Sequence, residues 1–343
     1  MCTLCPRECQ LLDGQQGFCF VRRREKDAIV LASYGMASGF CIDPVEKKPL
    51  SHFLPGCAVL SFGTAGCNLG CRFCQNWDIS KARDMSRTST RGSPEDIAQT
   101  AAAWGCAAVA FTYNDPVIFA EYAIDTAHAC HALGIKTIAV TAGYISEHAR
   151  EEFFSVIDAA NIDLKGFTES FYRDLCSAEL APVLETLKYV AQSTTWLEVT
   201  TLLIPGRNDG SEEVNKLCDW VRENLGRDVP LHFTAFHPDY RTLEIPPTPA
   251  GTCERARHQG LNQGLRYVYT GNVAGGAGHS TYCPNCGGIV IGRSGYTITE
   301  WQLDGSRCRS CGTEIAGRFA PLGPPAVGQR HLPVQVPSEP ARR

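Results

Sequence analysis

The sequence predicts an α/β fold with a parallel sheet through the middle of the chain. From residue 57 to about 270, apolar runs of strand length alternate with longer stretches of helical periodicity. Such alternation builds a parallel sheet with right-handed crossovers. Each unusual polar motif lies in or just after a predicted strand, where the strand ends of such folds gather chemistry. The 18 cysteines add a third observation, because 11 of them fall into three groups: four near the start, three after the first strand and four near residue 300.

Residues 1–56 are a cysteine-rich segment. Cys2, Cys5, Cys9 and Cys19 are spaced C-x2-C-x3-C-x9-C, with Gly14 and Gly17 in the last loop. Four thiolates make a closed metal site, for zinc, the preferred reading, or for an accessory iron–sulfur cluster; unliganded thiols are the alternative. Arg22-Arg23-Arg24 reads as a solvated face. Asp43 to Gly56 is bounded by prolines and reads mostly as loop; Lys47, Lys48 and His52 could face a substrate, with solvated lysines the commoner alternative.

The first core strand ends near Phe62. Ser93-Pro94-Glu95-Asp96 opens a helix with a serine cap, proline at the first position and acids in the first turn, and Ile97, Ala101 and Trp104 fall on one face. Ala107–Tyr113 is the second strand. Pro116–Leu133 is a helix that Gly134 stops, and Ile135–Thr141 the third strand. A helix from Ser146 to about Ile157 precedes a strand at Ala159–Leu164. Helical stretches from Thr168 and about Pro182 precede a strand at Trp196–Ile204. Ser211 caps a helix through Leu225, Leu231–Phe236 is the sixth strand, and a helix around Cys253–Leu265 and a strand at Arg266–Thr270 close the unit.

After the first strand comes Cys67-Asn68-Leu69-Gly70-Cys71-Arg72-Phe73-Cys74. Three thiols this close share a metal or an iron–sulfur cluster. Clusters usually take four cysteines, and none follows until Cys106, so one iron stays free. A three-cysteine zinc site or buried thiols are the plainer alternatives. The C-x3-C-x-F-C pattern resembles the signature of radical S-adenosylmethionine (SAM) enzymes. The longer string LSFGTAGCNLGCRFCQNWDISKAR resembles the AmmeMemoRadiSam-type members, relatives of the activases of pyruvate formate-lyase and other glycyl radical enzymes. The resemblance runs from about Cys2 to Phe319 and implies a partial (β/α)6 TIM-like barrel over 57–272. It implies a [4Fe-4S] cluster on Cys67, Cys71 and Cys74, with SAM on the open iron. Its chemistry would be reductive cleavage of SAM to a 5'-deoxyadenosyl radical that abstracts hydrogen. A reducing donor such as flavodoxin or ferredoxin, a protein substrate, and Memo-like and AMMECR-like partners are implied on the same ground.

The resemblance also implies SAM contacts, each with a structural alternative. Phe73 would pack beside the adenine. Thr112-Tyr113-Asn114-Asp115-Pro116 resembles the segment that holds the SAM amino group, although the family more often has glutamate where Asp115 stands; a helix cap is the alternative. Thr141-Ala142-Gly143 lacks the asparagine common in relatives. Asp163-Leu164-Lys165 resembles the activases' motif, placing Lys165 toward the SAM carboxylate, or else in an ion pair with Asp163 on the same strand face. Ile204, in Leu203-Ile204-Pro205-Gly206, would border adenine or fill core. His232 would lie near SAM or a peptide-like substrate or serve structure, with His237 as its competitor.

Gly271 to Gly278 matches no phosphate-binding fingerprint and reads as a linker. It leads to Cys283-Pro284-Asn285-Cys286 and Cys308-Arg309-Ser310-Cys311, a zinc-ribbon-like pair of knuckles over 273–320, with strands at Ile289-Val290-Ile291 and Tyr296-Thr297-Ile298. A rubredoxin-like iron site is the alternative for these cysteines. Residues 321–343 read as a disordered tail. The other seven cysteines, Cys176 among them, read as buried hydrophobes.

A net charge of -4 gives no general nucleic-acid footprint. No apolar run approaches the ~20 residues of a membrane span. Paired C-x2-C spacing and the absence of a charged-then-apolar leader point to a reducing, cytoplasmic setting. The rival functions are radical-based RNA modification and a non-enzymatic electron carrier or metal-organised binding module.

Overall fold

A computed structural model describes residues 1–83, 89–319 and 331–336. The core strands are β1 (Met36–Pro44), β2 (Ala58–Gly63), β3 (Ala108–Phe111), β4 (Lys136–Thr141), β5 (Ala159–Asp163), β6 (Trp196–Leu203), β7 (Leu231–Ala235) and β8 (Val268–Gly271). β2 to β8 lie side by side in chain order and pair in parallel, as the alternation predicts. The sheet is mixed: β1 pairs antiparallel with β2, and a short strand β11 (Leu332–Pro333) pairs antiparallel with β1.

The crossover helices are α1 (Pro94–Ala103), α2 (Ala120–Ala132), α3 (Glu147–Ser155), α4 (Ala181–Ala191), α5 (Ser211–Asn224) and α6 (Ala250–Asn262). The α1 cap is the predicted one: Ser93 Oγ accepts from Asp96 N and Asp96 Oδ2 accepts from Ser93 N, both at 3.1 Å. Ile97 and Ala101 are buried, but Trp104 is 40% exposed because α1 ends at Ala103, before it. Ser211 is the first residue of α5 rather than its cap; Gly210 holds that place.

Four further expectations change. Met36–Pro44 is a strand, where no element was expected before the first core strand. Arg22 is buried rather than solvated, donating to Ile118 O and to Glu121. Gly271–Gly278 is not a free linker: Gly271 pairs with Thr234, and Gly278 packs so tightly that a Cβ would meet Thr270 Oγ1 at 2.2 Å. Residues 331–336 of the expected tail are ordered on the β1 edge, which offers unpaired backbone groups; the tail's other residues lie outside the described ones.

The C-terminal module contains β9 (Ile289–Ser294) and β10 (Thr297–Trp301), an antiparallel hairpin. It is fastened to the 43–56 segment. Arg318 N donates to His52 O at 2.7 Å, and Arg293 Nη2 donates to Ser51 O at 2.7 Å.

Side chains on a strand alternate between faces, so one set points inward all along the sheet. On the lower inner face Val59, Ala108, Ala110, Ile138 and Ala159 pack against Val45, Leu50 and Phe53, which plug that end. Higher up the same face turns polar and encloses a cavity.

Candidate active site

The cavity holds about 660 Å³ and is lined by the ends of β3 to β8, the cysteine loop after β2, the 46–51 segment and the β9–β10 hairpin. That volume suits a cofactor-sized ligand. Thr200 Oγ1, Thr270 Oγ1 and His279 Nε2 line it with no hydrogen-bond partner among the described residues. Buried polar atoms left open cost stability unless a ligand satisfies them.

Cys67, Cys71 and Cys74 all line this cavity. Their loop is tied down on both sides. Asn114 Nδ2 donates to Gly66 O at 2.8 Å and its Oδ1 accepts from Thr64 N; beyond the first cysteine, Gly70 N donates to Cys176 O and Arg72 N to Leu175 O, both at 2.8 Å. Gly66 has φ 87°, and a Cβ there would stand 2.0 Å from Cys19 O, so the loop requires glycine at that point. Burial pushes the Cys67 thiol up to about 12 and Cys74 upward. Cys71 moves the other way, to about 7, because the Cys176 thiol bonds to its sulfur, against burial, with Lys165 adding to the effect. Among the described residues these three sulfurs form no group within 4.8 Å of one another.

Asp115 is fully occupied in the fold. Its Oδ1 accepts from Thr141 Oγ1 at 2.7 Å and from Val117 N at 3.2 Å, the expected cap, and its Oδ2 from Ala142 N at 3.3 Å. Burial raises its carboxyl to about 6 against those bonds. Lys165 pairs with Asp163 at 2.8 Å, and both line the cavity. Burial works against the Lys165 charge, but Asp163 and then Cys71 hold its pKa well above the ordinary value. Phe73 is buried at the cavity wall, 5.8 Å from the Phe171 ring. Ile204 does not line the cavity: β6 ends at Leu203 and the wall on that strand is Thr200 and Leu202. His232 lines it, stacked on Tyr269 and bonded to Glu198 at 2.7 Å, whereas His237 does not.

Lys48, expected to be solvated, is 3% exposed and pairs with Asp43 at 2.6 Å. Burial alone would raise the Asp43 carboxyl, but Lys48, Lys47 and His331 hold it well below the usual carboxylate range. His52 is likewise buried, between Ala316 O and the Tyr269 hydroxyl. Sequence reasoning missed Glu198, Tyr269, Arg293 and Cys176. The acid inside the apolar run of β6 was the available signal for Glu198.

Cys283, Cys286, Cys308 and Cys311 lie with all four sulfurs within 4.8 Å of one another, Cys283 to Cys311 at 3.5 Å and Cys286 to Cys308 at 3.8 Å. A tetrahedral ion with Zn–S bonds of about 2.3 Å sets its sulfurs about 3.8 Å apart, so this group fits one metal ion. Cys2, Cys5, Cys9 and Cys19 line a small second cavity together with Arg22 and Asn68.

Residues 62–221 match the family described as the radical SAM superfamily. The chain is 39% identical over 316 residues to a protein of Methanocaldococcus jannaschii described only as uncharacterised, covering 92% of this chain and 94% of that one. It is 22% identical over 188 residues to the pyruvate formate-lyase 1-activating enzyme of Escherichia coli, covering 53% of this chain and 75% of that enzyme. Among solved structures it resembles SuiB of Streptococcus suis bound to the precursor peptide SuiA, with TM-score 0.50 and 15% identity over 67% of this chain and 51% of that one.

Proposed function

We propose that this chain, which belongs to the radical SAM superfamily, binds a [4Fe-4S] cluster through Cys67, Cys71 and Cys74, binds SAM beside it, and activates a protein substrate by hydrogen abstraction. When bound, the cluster and SAM supply reductive cleavage of a C–S bond and a 5'-deoxyadenosyl radical. The observation that carries the reading is that the three cysteines open into the same cavity as unpartnered buried Thr200, Thr270 and His279.

The chain's own residues have distinct tasks in this reading. Phe73 packs against the adenine. Lys165, held charged by Asp163, presents a cation to the SAM carboxylate. Asn114 and Asp115 shape the walls, since their polar atoms are engaged by Thr64, Gly66, Thr141 and Ala142. Ile204 supports from behind the wall. His232, fixed by Glu198, faces the substrate side. The resemblance to an activating enzyme supports a protein substrate and a low-potential donor of the flavodoxin or ferredoxin class; Memo-like or AMMECR-like partners rest only on the likeness of the cysteine-loop string to the AmmeMemoRadiSam-type members. The four-cysteine ribbon holds zinc and sets Arg293 and Tyr296 in the cavity wall.

The test is anaerobic. The reduced protein is expected to convert SAM to 5'-deoxyadenosine and methionine, read by chromatography. Full product formation by Cys71→Ala would overturn the reading.

A further inference from the structure

We propose that Cys2, Cys5, Cys9 and Cys19 hold a second four-iron cluster, rather than zinc, and that it passes electrons to the open cluster at Cys67, Cys71 and Cys74. The relay half rests on the function proposed above; the metal half stands alone.

The chain carries its own comparison. In the ribbon the four sulfurs are drawn together as one small ion demands. The N-terminal sulfurs are not: among the described residues they form no group of three within 4.8 Å, yet all four residues line one cavity. Four thiolates that share a space without converging on a point suit a cluster in which each binds its own iron. The N-terminal set thus matches the cysteine loop after β2, not the ribbon.

The surrounding backbone is built around these cysteines. Cys2 N donates to Cys9 O at 2.9 Å, pinning the first ligand to the third. Glu8 (φ 43°) and Phe20 (φ 68°) take left-handed backbone beside Cys9 and Cys19, a conformation uncommon for side chains other than glycine. Arg22, 5% exposed, lines the same cavity; burial pushes the Cys19 thiol up, and the Arg22 charge, although Glu121 pairs with it, works against that rise. Four thiolates around a cluster leave net negative charge, so this residual attraction is complementary.

Position argues for the relay. Cys19 O lies against Gly66, the residue before Cys67, and Asn68 lines the N-terminal cavity. The two ligand sets are therefore in backbone contact. Cys2 and Cys19 are buried while Cys5 and Cys9 are partly exposed, so the site has an outer edge for a donor and an inner edge on the open cluster. One electron from a reduced flavodoxin-class donor would reduce the N-terminal cluster, which is reoxidised as that electron moves on to the open cluster.

The experiment counts metals in the full chain isolated without oxygen. About eight irons for each zinc are expected, two four-iron clusters and one ribbon. About four irons with two zincs would overturn the proposal, as would about four irons with one zinc. A Cys67/Cys71/Cys74→Ala variant should keep about four irons and a reducible electron paramagnetic resonance signal that SAM does not alter; loss of all iron from the folded variant would overturn the site. That variant also separates this inference from the reading of the loop, because its iron does not depend on SAM cleavage. For the relay, Cys5→Ala/Cys9→Ala should lose reduction of the open cluster by flavodoxin and keep reduction by dithionite. Unchanged flavodoxin reduction would overturn the relay.

Discussion

His232 Nε2 lies 2.7 Å from Glu198 Oε2, and Glu198 also accepts from Ser51 N at 2.9 Å and His52 N at 2.8 Å. One carboxylate on β6 thereby fixes a cavity-facing imidazole and the segment that plugs the sheet. Burial opposes its charge, but His232, His52 and the Ser51 N–H together outweigh it and lower its pKa.

Replacing Glu198 by glutamine turns an NH2 toward at least one N–H donor. A buried donor left unpaired costs about 1–3 kcal/mol. We expect Glu198→Gln to lower the urea midpoint by a corresponding amount, measured by chemical denaturation. An unchanged midpoint would show that the network reorganises.

Lys165→Ala should weaken SAM binding with the irons retained. A charge-assisted contact is worth about 1.5–3 kcal/mol, roughly ten- to more than a hundred-fold in affinity. Equilibrium binding under anaerobic conditions checks this; full affinity in an iron-loaded variant would leave Lys165 only its pairing with Asp163.

His52 makes acid stability predictable in sign. Burial lowers its pKa from 6.5 to about 4, against the raising effect of Glu198. Between those values the unfolded chain binds a proton on this residue that the folded chain refuses, so stability is lost as pH falls through the window. The contribution lost between pH 7 and pH 5 is about 2 kcal/mol. His52→Gln should flatten that part of the pH dependence in denaturation curves, and an equal slope in both proteins would refute the assignment.

Changing Cys283 and Cys286 to serine should release about one zinc and leave the irons in place. Because Arg293 and Tyr296 line the cavity from the same module, turnover should fall as well. Elemental analysis beside product chromatography checks both; loss of iron from the folded variant would contradict the separation of the sites.

Cys176→Ala removes the neighbouring thiol that lowers the Cys71 pKa. A net hydrogen bond of about 1 kcal/mol corresponds to about 40 mV for one electron, so the open cluster's potential should fall by that order. Redox titration followed by electron paramagnetic resonance would measure the shift, and an unchanged potential would return Cys176 to the role of core filler.

The parallel strands were legible because each is a short apolar run bounded by turn residues. β1 was not, because Gly39 interrupts it and it ends on Asp43 and Pro44, which read as loop. Asp43 is tolerated inside because Lys48 and Lys47, nearby in sequence, neutralise it, and His331, far along the chain, adds a hydrogen-bonding contact. The cysteine loop was legible from spacing alone. Cys176 and Arg293 were not, since they join the cavity from distant segments whose local pattern is unremarked. Ile204, read by resemblance as bordering adenine or else filling core, is fully buried just past the end of β6 and takes the second of these places.

The contacts that close the cavity have a temporal consequence. Leu332 pairs with Ile42 and Arg318 with Phe53, so partners made early wait for residues made late. On a growing chain the β1 edge and the 43–56 plug remain uncapped until the whole barrel and the four-cysteine module have been made. During that interval the cysteine loop and the N-terminal thiols are already synthesised while the ribbon wall is still missing. Synthesis order itself thus keeps one edge of the sheet and the plugged end of the barrel without their last partners until residues 318 and 332 have been made.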